Sequence, residues 1–301
     1  MLLESEKNTV LFSTHFAKDY KVLYECVISV LKKENIRHLT IPYTRDYWCR
    51  DFMPVQVNNK RFVQFVYAPD YLKDDQGAKY LTDVDQVMNS SLKDVLPKDA
   101  EIVHCPIVLD GGNMTVCRGH DVNGEYTLLI LMDKVFTENP TLTPLQIEQE
   151  IRTAISEDVR LLWLPWEGKD VDKYGHTDGL VRFLNIEEDG RPSVLANLQP
   201  YGEHGDELRK MLAEHCHVTE ISLSQASDCN WAPMNFIQTY KAIVVPGIGE
   251  PQDHEMLQQL QSCLRTGTNS NYVNHINQIP IYDFVQKWGG ALNCLSWTIN
   301  I

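Results

Sequence analysis

The chain has 301 residues, 43% of them hydrophobic and 23% charged, a composition of globular proteins and too apolar for a disordered one. Its 27 Lys and Arg against 41 Asp and Glu give a net charge of −14 with no basic run to meet a phosphate backbone, so a nucleic-acid partner is not expected. Apolar runs such as 128–132 fall far short of the ~20 residues of a membrane helix, and the opening MLLESEKNTV has no basic region ahead of an apolar core, so neither a membrane span nor a secretory leader is expected.

In chain order, the first helical pattern places Phe16, Tyr20, Leu23, Val27, Val30 and Leu31 on one face. A second runs through Val84, Met88, Leu92 and Val95. A third opens at Thr143-Pro144-Leu145-Gln146, a capping box with proline at the first helical position, and carries Ile147, Ile151, Ala154 and Ile155. A fourth contains Leu208, Met211 and Leu212, and a fifth starts near Pro251 with Met256, Leu257, Leu260 and Leu264. Between them lie β-rich runs: TVLFST, FMPVQVN, RFVQFVYA, EIVHCPIVL, YTLLILM, RLLWLP, GLVRFLNI, PSVLANL, VTEISLS, NFIQTY, KAIVVP and CLSWTINI. The helices begin near 16, 84, 144, 206 and 251, and 301 residues divided by five give about 60. The pattern therefore fits a ββαβ unit used five times, with an α/β sandwich of evenly spread helices as the alternative. No Gly/Ser-rich or Pro-rich linker breaks the chain, so 1–301 reads as one domain, with loop tips at 75–77, 187–190 and 266–271.

Eight cysteines stand at 26, 49, 105, 117, 216, 229, 263 and 294 without a C-x-x-C pair, which speaks against a zinc ribbon or a thioredoxin-like site. They read as reduced thiols of a cytoplasmic protein, mostly packing as small hydrophobes. Four segments could carry chemistry. Trp48-Cys49-Arg50-Asp51 offers an apolar wall and an anion to a cation, or a surface Arg–Asp pair beside a core tryptophan. Leu109-Asp110-Gly111-Gly112-Asn113 allows close ligand approach, or makes a hairpin turn. In Gly175-His176-Thr177-Asp178, an extended backbone would point His176 and Asp178 the same way, an acid/base group beside an anion or a satisfied buried pair. Gly289-Gly290-Ala291-Leu292-Asn293-Cys294 puts a thiol after paired glycines, on the run read as the last strand. Gly247-Ile248-Gly249 lacks the third glycine of a dinucleotide loop and reads as a strand-to-helix turn.

Together these segments resemble the agmatine deiminase and bacterial-type peptidyl-arginine deiminase family of guanidino-group-modifying enzymes. The resemblance rests on WCRD at 48–51, LDGGN at 109–113, GHTD at 175–178, APMNF at 232–236, GIGEPQD at 247–253 and GGALNC at 289–294, in the family's order. It implies a five-bladed α/β propeller, a pentein, with a central site; one motif residue per blade (51, 110, 176, 235, 294) gives separations of 59, 66, 59 and 59. It also implies Cys294 as nucleophile, His176 as general acid/base, Asp51 and Asp178 as the carboxylates gripping a guanidinium, Asp110 as support for the histidine, and Trp48 and Asn235 near the substrate. The chain departs from the family pattern at Phe52-Met53, where members often have Thr-Gly, and at Asp110, where Glu is common. Trp288, Ala291 and Asn293 replace the Gly, Asn and His of the agmatine deiminase G-G-G-N-x-H-C signature.

The chemistry so implied is hydrolytic deimination through a Cys-bound thiouronium, with agmatine the leading substrate and free or peptidyl arginine next. Amidino transfer and a non-catalytic propeller follow. The clustered His/Asp motifs of metal-dependent ureohydrolases are absent from the sequence, so neither metal nor cofactor is expected. The expected partner is a small cationic guanidino compound, and a homodimer is compatible with the reading. Carboxylates beside Cys294 should raise its pKa in the empty site, so ionisation is expected to be assisted by the bound cation.

Overall fold

The computed structural model describes residues 1–301 apart from 74–76, 91, 94, 156–157, 169–171, 226, 266–271 and 273. The loop tip expected at 266–271 lies outside the described residues, as does the one at 75–77 except for Gly77.

The described strands form five separate three-stranded sheets, and every sheet repeats one pattern. β1 (Thr9–Ser13) pairs in parallel with β2 (Arg37–Ile41). In the second sheet β3 (Val55–Gln56) runs antiparallel to β4 (Arg61–Val66), which is parallel to β5 (Glu101–Val108). The third repeats this with β6 (Thr115–Asp121), β7 (Gly124–Met132) and β8 (Val159–Leu164). The fourth uses β9 (Val181–Ile186), β10 (Pro192–Ala196) and β11 (His217–Glu220). The fifth uses β12 (Ile237–Gln238), β13 (Ile243–Gly247) and β14 (Ile276–Pro280). β15 (Ser296–Ile299) then returns to the start of the chain and supplies the antiparallel neighbour that β1 lacks.

A parallel pair needs a crossover, and a helix supplies it in each blade. These are Lys21–Lys33, Val84–Ser90, Pro144–Ile155, Gly202–His215 and Gln252–Leu264, one within each sequence-predicted helical stretch. The third shows how local chemistry sets an element. Gln146 N–H donates to Thr143 Oγ1 at 3.3 Å while Thr143 N–H donates to Gln146 Oε1 at 2.9 Å, a reciprocal cap. The helix then buries Ile147, Ile151, Ala154 and Ile155 along one stripe.

Five apolar clusters sit between neighbouring blades and join them into a ring. Leu11, Phe52 and Phe62 link the first to the second; Phe65, Ile107 and Leu129 the second to the third; Ile130, Leu162 and Val194 the third to the fourth. Leu195, Phe236 and Val245 join the fourth to the fifth, and Val10, Val244 and Leu292 join the fifth to the first. This is the five-bladed α/β propeller expected from the sequence.

Three strands carry no β-rich signal in the sequence: β2, β6 and β14. All are edge strands, and β2 and β14 are only partly buried, with Arg37, His38 and Thr40 in one and Asn277 and Gln278 in the other interrupting the apolar pattern. Three backbone expectations are corrected. His176 and Asp178 do not lie on an extended segment but on a turn entered through Gly175 at φ +62°, and Cys294 is on a helical turn, Leu292–Leu295, just ahead of β15. The glycine pair 111–112 does not close a hairpin either, since β5 and β6 belong to different sheets.

Candidate active site

Each blade is entered through a short turn just before its first strand. These turns are Cys49–Phe52, Gly111–Asn113, the segment 175–180, Ala232–Met234 with Asn235, and Leu292–Leu295. Each of the five motifs read as lying one per blade therefore sits at the same place in its repeat. Hydrogen bonds tie the turns to one another. Gly112 N–H donates to Asp51 Oδ1 at 3.0 Å, and Asp178 N–H donates to Gly112 O at 3.1 Å. Asn293 Nδ2 donates to Asp178 Oδ2 at 2.8 Å, while the Asn293 and Cys294 N–H groups donate to Asn235 O at 2.9 Å and Asn235 Oδ1 at 3.1 Å. Residues about 60 apart in sequence thus become hydrogen-bond neighbours.

Around this centre lies a cavity of about 630 Å³ whose lining includes Cys294, His176, Asp51 and Asp178. Cys294 Sγ is 3.6 Å from Asp178 Oδ2. His176 Nε2 is 3.2 Å from Asp110 Oδ2, and its Nδ1 is 3.9 Å from Asp51 Oδ1. Trp48 lines the cavity with Trp231, Trp288, Tyr71, Tyr174 and Tyr201, so its walls are aromatic and its floor acidic. Asp110 and Asn235 do not line it: Asp110 stands behind the imidazole and Asn235 behind the Cys294 backbone, 3% and 0% exposed.

The electrostatics follow from crowding carboxylates in a buried place. Burial raises the Asp51 carboxyl, Asp110 and Asp178 raise it further, and despite His176 its pKa reaches about 8. Burial works against the charged imidazole of His176, but Asp51 and Asp110 outweigh it and lift its pKa to about 9. The Cys294 thiol is pushed well above its ordinary value by burial, then by Asp178 and Asp51. At neutral pH the empty site therefore holds a protonated imidazole, a thiol and an Asp51 carboxyl that keeps its proton, and a cation bound beside Asp51 would favour its ionised form. Cys49, inside the first motif, is buried and likewise raised by burial, without access to the cavity.

Close approach requires glycine at several motif positions, Gly112 and Gly290 among them. A Cβ on Gly112 would stand 2.6 Å from His176 Nδ1 and 2.7 Å from Asp51 Oδ1, and one on Gly290 would enter the Trp48 ring. Sequence reasoning missed several residues of the site. Asp46 is buried, accepts from Tyr67 Oη at 2.8 Å and from Tyr47 N–H at 2.6 Å, and thereby shapes the turn that carries Trp48. Asp172 lines the cavity: its Oδ1 accepts from Tyr174 and Gly175 N–H at 3.1 and 2.9 Å, while its buried Oδ2 has no hydrogen-bond partner. The aromatic residues at 71, 174, 201 and 231 carry no motif signal, because an isolated Tyr or Trp in sequence reads as core. Among the described residues, no group of three or more His, Cys, Asp and Glu is placed to hold a metal ion, and no helix is long and apolar enough to cross a membrane.

A ring of five ββαβ blades with cysteine, histidine and paired aspartates at its centre defines a pentein of the α/β-propeller class. The chain belongs to the Porphyromonas-type peptidyl-arginine deiminase family, whose profile matches residues 2–299. Solved structures share the fold. Agmatine deiminase of C. jejuni is 18% identical with a TM-score of 0.64, the match covering 99% of this chain and 94% of that one. Agmatine deiminase of Enterococcus faecalis is 16% identical with a TM-score of 0.69, over 99% and 94%. DDAH from Pseudomonas aeruginosa is 11% identical with a TM-score of 0.56, over 97% and 99%. No curated protein sequence gives a significant match.

Proposed function

We propose that this protein hydrolyses the guanidino group of a small cation, releasing ammonia and leaving a ureido product, and that its preferred substrate is agmatine. The observation that carries the reading is the convergence of Cys294, His176, Asp51 and Asp178 from three blades on one cavity, where Asp51 faces the His176 ring at 3.9 Å. A guanidinium stays protonated at any accessible pH, and its planar fork matches two carboxylates. Held between Asp51 and Asp178, it presents its central carbon to Cys294 and cancels the charge that keeps the thiol protonated.

The thiol proton leaves to solvent as the cation binds, and the thiolate attacks that carbon, forming a C–S bond and a tetrahedral adduct. His176, already protonated, donates to the departing nitrogen, and the C–N bond breaks to release ammonia and leave a thiouronium. The neutral imidazole then takes a proton from water as its oxygen adds to the same carbon. Collapse breaks the C–S bond, returns the thiolate and frees the ureido product. Asp110 keeps the imidazole ring oriented throughout from its hydrogen-bonded position on Nε2.

The preference for agmatine rests on the remaining wall. Asp172 and Asp228 add two further carboxylates to the cavity against one lysine, Lys173, which favours an ammonium at the far end of the substrate over an α-carboxylate. Peptidyl arginine is the second reading, favoured by the family description. A panel of agmatine, free arginine and a blocked arginyl peptide, scored by ureido product and ammonia, separates them. Agmatine should give the highest kcat/KM, and equal or better turnover of the peptide would replace it. No ammonia from any of the three would reject deimination itself.

A further inference from the structure

Asp178 borders a second, much smaller cavity of about 30 Å³, together with Glu4, Arg50, Arg182 and Asn293. The Arg50 guanidinium is anchored there. It donates to Glu4 Oε1 at 3.1 Å, to Thr298 Oγ1 at 3.0 Å and to Asn293 Oδ1 at 2.9 Å. Asn293 is 2% exposed, so its amide has no water to turn to. With Oδ1 taken by Arg50, the Nδ2 end is directed to Asp178 Oδ2 at 2.8 Å. A flipped amide would set its NH₂ against the guanidinium and its oxygen against the carboxylate, donor on donor and acceptor on acceptor. Arg50 therefore decides which way Asn293 points, and Asn293 decides where Oδ2 of Asp178 sits. That oxygen is the one 3.6 Å from Cys294 Sγ. Rotation of an aspartate carboxylate is otherwise soft, since its last torsion has broad minima.

We propose that Asn293 and Arg50 are positioning residues: anchored to Glu4 of the N-terminal segment, they fix Asp178 Oδ2 beside the thiol so that the guanidinium bound there meets the sulfur in line for attack. The inference rests on Asp178 acting as a guanidinium clamp. Neither residue touches the substrate, and each acts through the carboxylate. Arg50 donates to Asn293 Oδ1 and Asn293 Nδ2 donates to Asp178 Oδ2, so the pathway is a chain of three hydrogen-bonded groups.

Asn293→Asp tests it, because the change is isosteric and keeps an oxygen for Arg50. Ionised, the new carboxylate faces Asp178 and repels it; protonated, its O–H donates to Oδ2 as the amide did. Two readouts are compared with the parent from pH 6.5 to 8.5: kcat/KM for agmatine, and protection of Cys294 from iodoacetamide by guanidinium chloride, read by mass spectrometry of the Cys294 peptide. The expected result is a loss of ~100-fold in kcat/KM at pH 8.5 with protection abolished, and a deficit at least ~10-fold smaller at pH 6.5. Asn293→Ala removes the donor without adding charge and should show a deficit of ~10-fold that does not vary with pH. It also serves if the aspartate variant does not fold. A variant-to-parent ratio that stays flat with pH for Asn293→Asp, or parent-level activity in Asn293→Ala, would overturn the relay while leaving deimination standing. A parent that neither turns over agmatine nor is protected by guanidinium sinks the relay and the functional reading together.

Discussion

Asp51 is buried and Glu4 partly exposed, both near the centre of the ring, and their surroundings drive the two carboxylates in opposite directions. At the wide, aromatic end, Asp51 meets Asp110 and Asp178, and burial and repulsion raise its pKa to about 8. At the narrow end burial would raise Glu4 too, but Arg50 and Lys7 hold it well below the usual carboxylate range. Glu4 contacts Lys7, Arg50 and Thr298, so the protein supplies its counter-charges. Asp51 has a backbone N–H and a histidine 3.9 Å away, and it keeps its proton up to about pH 8 unless a further cation favours its ionised form. An acidic cluster left uncompensated beside one already paired marks which end is built to receive a cation.

Removal of the nucleophile is the strongest way to break that comparison. Cys294→Ser should lower ammonia release by at least ~1000-fold, whereas Cys49→Ser, at a thiol without access to the cavity, should leave turnover unchanged. Ammonia release at the parent rate by the Cys294 variant would show that the wide end is not catalytic. Gly112→Ala comes next, since its Cβ would push on both His176 and Asp51. A loss of roughly 100-fold in kcat is expected from displacing the two groups, and normal kinetics would mean that their placement is not critical.

A smaller effect sharpens the reading of the wall. Asp172→Asn should raise KM for agmatine about tenfold with kcat retained, and leave a guanidine lacking the distal amine unaffected. The smallest effect separates the two ends by pH. Asp51 at about 8, against ~3.9 unfolded, and His176 at about 9, against ~6.5, keep protons in the folded state that the unfolded chain has released. Their contribution to stability is present at low pH and is lost as pH rises, from ~4 to about 8 for Asp51 and from ~6.5 to about 9 for His176. Glu4 acts the other way: its contribution is present above its ordinary pKa and is lost in acid. The Tm of the unliganded protein should therefore fall between pH 7 and 9, less so in Asp51→Asn, while Glu4→Gln should flatten the acid limb only. Identical pH–Tm curves for all three proteins would remove the contrast between the ends.

Much of the fold was legible because its causes are local. The capping box at Thr143–Gln146 and the stripe from Ile147 to Ile155 each need only a few neighbouring residues, and both appear as read. The same holds for β7, whose apolar run is buried almost throughout. β2 and β14 were illegible for the converse reason: as partly buried edges interrupted by polar residues they are strands because β1 and β13 pair with them, not by their own composition. In the site, the motifs marked Asp51, His176, Asp178, Cys294 and Trp48, but not the rest of the aromatic wall, Asp172 or the Glu4–Arg50–Asn293 chain.

Repeat length, crossover helices and the order of motif turns were thus determined by the sequence itself, through patterns that act over one or two turns of backbone. Which turns touch, which oxygen of Asp178 faces the sulfur, and how far Asp51 and His176 are shifted were decided only by closure of the ring. Those quantities depend on distances between atoms about 60 or more residues apart and on the exclusion of water from between them, and no local pattern encodes either.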